Sequence, residues 1–72
     1  EYIPFIEAYA QLNRWGDTVP LIEKVHSMNR ELDKPLCPIL QKLFIEHYPQ
    51  DQTEREKVAS AMYRIGCSAY SQ

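Results

Sequence analysis

Glycine is nearly missing from this 72-residue chain: only Gly16 and Gly66 are present, and they stand far apart. A phosphate-cradling loop needs clustered glycines so that backbone N–H groups can approach the ligand, and the chain has no such cluster. Cysteine is equally scarce. Cys37 and Cys67 are too few for the disulfide framework of a small secreted scaffold. The expectation is a pair of reduced, buried thiols, with one bridge as the alternative. No run approaches the roughly 18 apolar residues of a membrane-spanning helix, and no basic start leads into an apolar segment like that of a signal peptide. Positive charge is not in excess either. Eight Lys and Arg against ten Asp and Glu leave a net charge of −2, which argues against a self-sufficient binder of nucleic acid through many phosphate contacts. The chain opens on Glu1 rather than Met, and the expectation is a processed product or a piece of something longer.

What is present reads as helix. Phe5, Ile6, Tyr9 and Leu12 fall on one stripe of a first segment, about Pro4 to Leu12, with Pro4 in the opening turn where its missing N–H costs nothing. After Asn13–Arg14–Trp15–Gly16, Asp17 can cap a second segment whose apolar face is Val19, Leu21, Ile22, Val25 and Met28. Leu36, Ile39, Leu40, Leu43, Phe44 and His47 give the cleanest helical stripe, over about Pro38 to Tyr48, and Pro49 stops it. A fourth helix, about Thr53 to Ile65, has a capping box in Asp51 with Glu54 or Thr53 with Glu56, and Gly66 as its stop. Short connections between these helices imply antiparallel neighbours. The fold class is therefore all-α, with four helices in two antiparallel hairpins. A domain this small has a modest core and needs help from a disulfide, a metal, oligomerisation or neighbouring units.

Catalytic chemistry has little to build on. Cys37 with His26 or His47 is the one formal nucleophile–base pair, but Cys37 precedes Pro38 in an apolar stretch and reads better as a small hydrophobe at a helix entrance. Zinc has four formal ligands in Cys37, Cys67, His26 and His47, yet the nearest two, Cys37 and His47, are ten residues apart, whereas structural zinc sites bring ligands in close pairs. No catalytic residue, metal site or cofactor is expected. The carboxylates of Glu54 and Glu56 suit the first turn of a helix, where the dipole favours them. Trp15 is more informative, because an aromatic at the corner between two helices plugs the gap against a third element.

Phe5, Ile6 and Tyr9 recur as Phe44, Ile45 and Tyr48 about 39 residues later, a period in the range of helical solenoids. The run Y-x₂-F-I-x-A-Y-x₄-R-W-x₅-L-I-x₂-V, Tyr2 to Val25, resembles a pentatricopeptide repeat, a motif that overlaps with tetratricopeptide repeats. Tyr2, Phe5–Ile6, Ala8–Tyr9, Asn13–Arg14–Trp15, Leu21–Ile22 and Val25 occupy the places of the family's pattern, while Met62–Tyr63–Arg64–Ile65–Gly66 is similar to the end of a second unit. Thr18 stands where that pattern has an inward Ala, and Gly16 and Pro20 weaken the second helix. The resemblance implies an α-solenoid segment: one hairpin over residues 1–34, a second over 35–67, and residues 68–72 opening a further unit or fraying. It also implies a non-enzymatic, organellar RNA-associated protein, mitochondrial or plastid, acting in RNA processing or beside a ribosome, with no membrane contact. Adjacent repeats of the same chain, single-stranded RNA and protein are the implied partners. Lys34, Gln41 and Lys42 are then the candidate RNA contacts, and Trp15, Phe44 and Ile45 the candidate partner-packing residues. A self-contained helical bundle, taking a partner helix in an apolar groove or dimerising, is the alternative.

Overall fold

Helix α1 spans Ile3–Gln11 in a computed structural model that describes residues 2–70. Pro4 lies at its second position, where no helical donor is required. The helix is closed by Asn13, whose φ of 56° is left-handed. The Asn13 N–H reaches the Ala10 carbonyl at 2.9 Å, and the Arg14 N–H reaches that of Tyr9 at 2.8 Å. This paired closure satisfies two carbonyls that the helix end leaves open. A short 3₁₀ turn, Trp15–Asp17, leads into α2, Thr18–Met28. The carboxylate of Asp17 does not cap α2 as the sequence suggests; it pairs with the Arg14 guanidinium at 2.9 Å. The buried Thr18 hydroxyl instead donates to the Trp15 carbonyl at 2.6 Å.

A second 3₁₀ turn, Arg30–Leu32, joins α2 to α3, Asp33–Glu46. Helix α3 thus begins five residues before the expected start at Pro38, and the boundary drawn after Lys34 falls inside its first turn. Pro35 sits in that first turn, where the missing N–H has no cost. Pro38 lies deeper and leaves the Lys34 carbonyl without its helical donor. Both Lys34 and Pro38 are exposed, so the gap in the ladder is on the solvent side. The inward face of Leu36, Leu40 and Leu43 continues unbroken across it.

Helix α4 covers Gln52–Arg64. Of the two capping pairs read from sequence, the structure uses Asp51, whose carboxylate accepts the Glu54 N–H at 2.9 Å. Gly66, with φ of 81°, closes the helix: its N–H bonds to the Tyr63 carbonyl at 2.9 Å, and that of Cys67 to Met62 at 2.8 Å. The helix ends at Asn13 and Gly66 therefore share one geometry.

The described residues contain four α-helices and no strand, arranged around one core. Backbones run close between α1 and α2, between α1 and α3, and between α2 and α4. The α3 and α4 backbones are further apart. The core takes residues from every helix, including Ile6 and Ala10, Ile22 and Val25, Leu40 and Phe44, and Val58 and Met62. Trp15 is completely buried, as its corner position suggests.

Cys37 and Cys67 are joined in a disulfide, and no free cysteine is present among the described residues. This corrects the expectation of reduced thiols. The two residues lie 30 apart in sequence, and only the return of the chain after Gly66 brings them together. Cys37 also lies in the second turn of α3, not at a helix entrance.

Candidate interaction surface

The corner between α1 and α2 is welded to the corner between α3 and α4. The Trp15 indole N–H donates to the His47 carbonyl at 2.7 Å. The Asn13 amide donates to the carbonyls of Tyr48 at 3.0 Å and His47 at 3.3 Å, while its oxygen accepts the Gln50 N–H at 3.0 Å. These bonds fix both hairpins with their turns at the same end. Phe44 sits just beneath, edge-on to Trp15 at 5.8 Å, Tyr48 at 5.3 Å and Tyr70 at 5.7 Å.

That geometry decides what remains free. Trp15 and Phe44 are 0% and 2% exposed, so their apolar area is consumed inside the chain and they are not available to a partner, contrary to the sequence expectation. Ile45, the third such candidate, is 76% exposed. Lys34 and Gln41 lie two turns apart on one stripe of α3, with Lys42 beside it. Lys34 and Lys42 are exposed. The Lys42 ammonium is 4.0 Å from the Glu46 carboxylate. The Gln41 amide is engaged internally, donating to the Ser68 carbonyl at 2.9 Å. The structure therefore does not gather the three into one free polar site.

One exposed apolar surface lies on α1. Phe5 and Leu12, 60% and 68% exposed, share an outer stripe of α1 with Ala8, which is also exposed. Beside the stripe, a groove of about 350 Å³ runs between α1 and α2, walled by Tyr2, Phe5 and Tyr9 on one side and Pro20 and Leu21 on the other, with Asp17 at one end. The Arg14 guanidinium lies 5.6 Å from the centre of the Tyr9 ring and neutralises Asp17. The opposite side of α2 is already taken, since Glu23 pairs with Arg64 of α4. The groove could have been suspected from the spacing of Tyr2, Phe5 and Tyr9. The sequence does not reveal which flank of α1 the core leaves uncovered.

Chemistry is sparse elsewhere. The His26 ring lies 2.7 Å from the Asp33 carboxylate, a clasp across the second 3₁₀ turn. Both sulfurs are bonded to each other, so no thiol nucleophile accompanies either imidazole. Among the described residues, no three His, Cys, Asp or Glu side chains gather as a metal site would require, and no helix is long and apolar enough to cross a membrane. No protein-family model matches the chain, and no curated protein or solved structure matches it.

Proposed function

We propose that the chain is a non-catalytic helical scaffold segment that takes up one amphipathic helix of a protein partner in the groove between α1 and α2. The observation that carries this reading is the uncovered apolar surface of Phe5, Ala8 and Leu12 beside the groove of Tyr2, Tyr9, Pro20 and Leu21. Water-exposed apolar area of this kind gains about 25 cal/mol per Å² when covered. The walls run along two helices, and Tyr2 to Tyr9 covers about two turns of α1. A partner helix with anchors at i, i+3 or i+4 and i+7 matches that length. With Asp17 already neutralised by Arg14, the groove asks for an apolar face rather than a charge. The resemblance to pentatricopeptide hairpins agrees with this reading, since hairpins of such arrays bury both sides of each helix.

Selection of displayed random peptides against the immobilised full chain tests the reading. Enriched peptides should carry the helical apolar spacing and lose about tenfold or more in affinity on Phe5→Ser or Leu21→Ser, equivalent to one anchor contact. Tyr63→Ser, an exposed position on α4 outside the groove's lining, should leave binding unchanged. Enrichment of peptides without that spacing would sink the proposal. So would a single-stranded RNA pool that binds at low salt and is lost on Lys34→Ala with Lys42→Ala, which would move the function to α3 and to nucleic acid.

A further inference from the structure

After the turn at Gly66, residues 67–70 run back along α3 as a strap. Three fastenings hold the strap, and all three lie on one stripe of the helix. Cys67 is bonded to Cys37, the Ser68 carbonyl accepts the Gln41 amide at 2.9 Å, and Tyr70 stands edge-on to Phe44 with ring centres 5.7 Å apart. Positions 37, 41 and 44 follow the i, i+4, i+7 spacing of one helix face. Cys67 itself is buried in the core and Ala69 packs against it, while the rest of the described strap lies at the surface. Ser68 is exposed, Tyr70 is 61% exposed, and Ala69 is only partly covered.

We infer that the Cys37–Cys67 bridge is a redox latch: while it is closed the strap covers the Cys37–Gln41–Phe44 stripe of α3, and reduction frees the strap and opens that stripe. The inference stands apart from the groove between α1 and α2, whose lining includes no residue of the strap or of its stripe on α3. Opening needs a dithiol reductant. Its thiolate attacks the sulfur of Cys37, the half-buried member of the pair, and the S–S bond breaks. Cys67 leaves as a thiolate and takes a proton from solvent. The reductant's second thiol then displaces Cys37 as a thiolate, which takes up a proton in turn. The bridge gains two electrons and two protons overall, and the reductant becomes a disulfide. When the strap is freed, helices α1 to α4 keep the core to which each contributes, through residues such as Ile6, Ile22, Leu40, Val58 and Met62. What opens is the Tyr70 edge of Phe44, while its Trp15 edge stays covered.

The test compares the oxidised and dithiothreitol-reduced full chain by NMR. On reduction, the cross-peaks between the Phe44 and Tyr70 rings should vanish while those between Trp15 and Phe44 persist. Exchange of the Ser68 and Ala69 amides should rise about tenfold or more, against less than about twofold inside α1 and α2. The Cys37→Ser, Cys67→Ser double variant should show the same pattern without reductant. Loss of both sets of ring contacts would make the bridge a staple of the whole fold and overturn the latch. Retention of both would show that the strap stays down unaided, and would overturn it equally. In the oxidised chain, Gln41→Ala should keep the Phe44–Tyr70 contact. Its loss there would assign the strap to Gln41 instead.

Discussion

Between α1 and α2 the backbones approach closely, whereas those of α3 and α4 stand further apart. Helix separation follows the size of the side chains at the contact. The α1–α2 pair closes without a covalent link, whereas beside the wider pair a bridge from Cys37 ties down the strap that follows α4. The shorter pair, of 9 and 11 residues, and the longer pair, of 14 and 13, thus differ in how they are fastened, and each leaves a different surface. The tightly closed pair exposes an apolar flank, while the wider pair has part of its outer face covered by its own tail. A disulfide and a close helix contact are alternative remedies for the thin core of a domain this small.

The largest expected effect comes from the part that both hairpins share. Trp15→Ala removes a fully buried indole and its bond to the His47 carbonyl, and should cost about 3–5 kcal/mol. Urea denaturation followed by circular dichroism should show both hairpins failing in one transition. Two separate transitions would break the picture of a common core. Next, the Cys37→Ser, Cys67→Ser double variant releases a loop of 30 residues and should lower stability by about 3.5 kcal/mol, chiefly by freeing the unfolded chain. The urea midpoint should fall while the slope rises little. An unchanged midpoint would mean that the bridge does not constrain the unfolded chain.

Asn13→Gly is a finer probe of the weld between the corners. Glycine keeps the left-handed backbone but loses the amide that bonds to His47, Tyr48 and Gln50, with an expected loss of about 2 kcal/mol. Asn13→Ala should cost about 1 kcal/mol more, because alanine is strained at that φ. Asp51→Ala deletes only the cap of α4 and should cost about 1 kcal/mol. Smallest of all, Phe5→Ser and Leu12→Ser should change stability by no more than about 0.5 kcal/mol, since both side chains are mostly in water. A larger loss in either would show that the α1 flank belongs to the core, and the contrast between the two hairpins would lose its open side.

The helical content was readable because Phe5, Ile6, Tyr9 and Leu12, then Ile22 and Val25, then Leu36, Leu40 and Leu43 repeat at the helical period, and because Asp51 and Gly66 carry local end signals. The inward face of α1 was not, since the core takes Ile6 and Ala10 and leaves Phe5 and Leu12 exposed. The burial of Trp15 followed from its place at a corner. The start of α3 was hidden by Pro35 and Pro38, which punctuate the sequence as breaks although the helix runs through both. Helix continuity there is decided by the inward stripe and by a solvent-facing gap, neither visible residue by residue. The disulfide was out of reach for a different reason: 30 residues separate its halves, and their meeting depends on the path of the strap across α3. Of the residues proposed from sequence for recognition, Trp15 and Phe44 turned inward for the same reason that made them conspicuous, their size. Gln41 was drawn into the strap. Where Ser71 and Gln72 of the expected tail lie is outside the described residues.

The weld at the corners has a consequence for how the chain tolerates genetic change. Its donors are side chains, the Trp15 indole and the Asn13 amide, while the acceptors at positions 47 and 48 are main-chain carbonyls. A main-chain oxygen is present whatever residue is encoded there. Mutational drift can therefore pass through codon 47 with little loss to the joint, whereas codons 13 and 15 carry nearly all of its heritable risk.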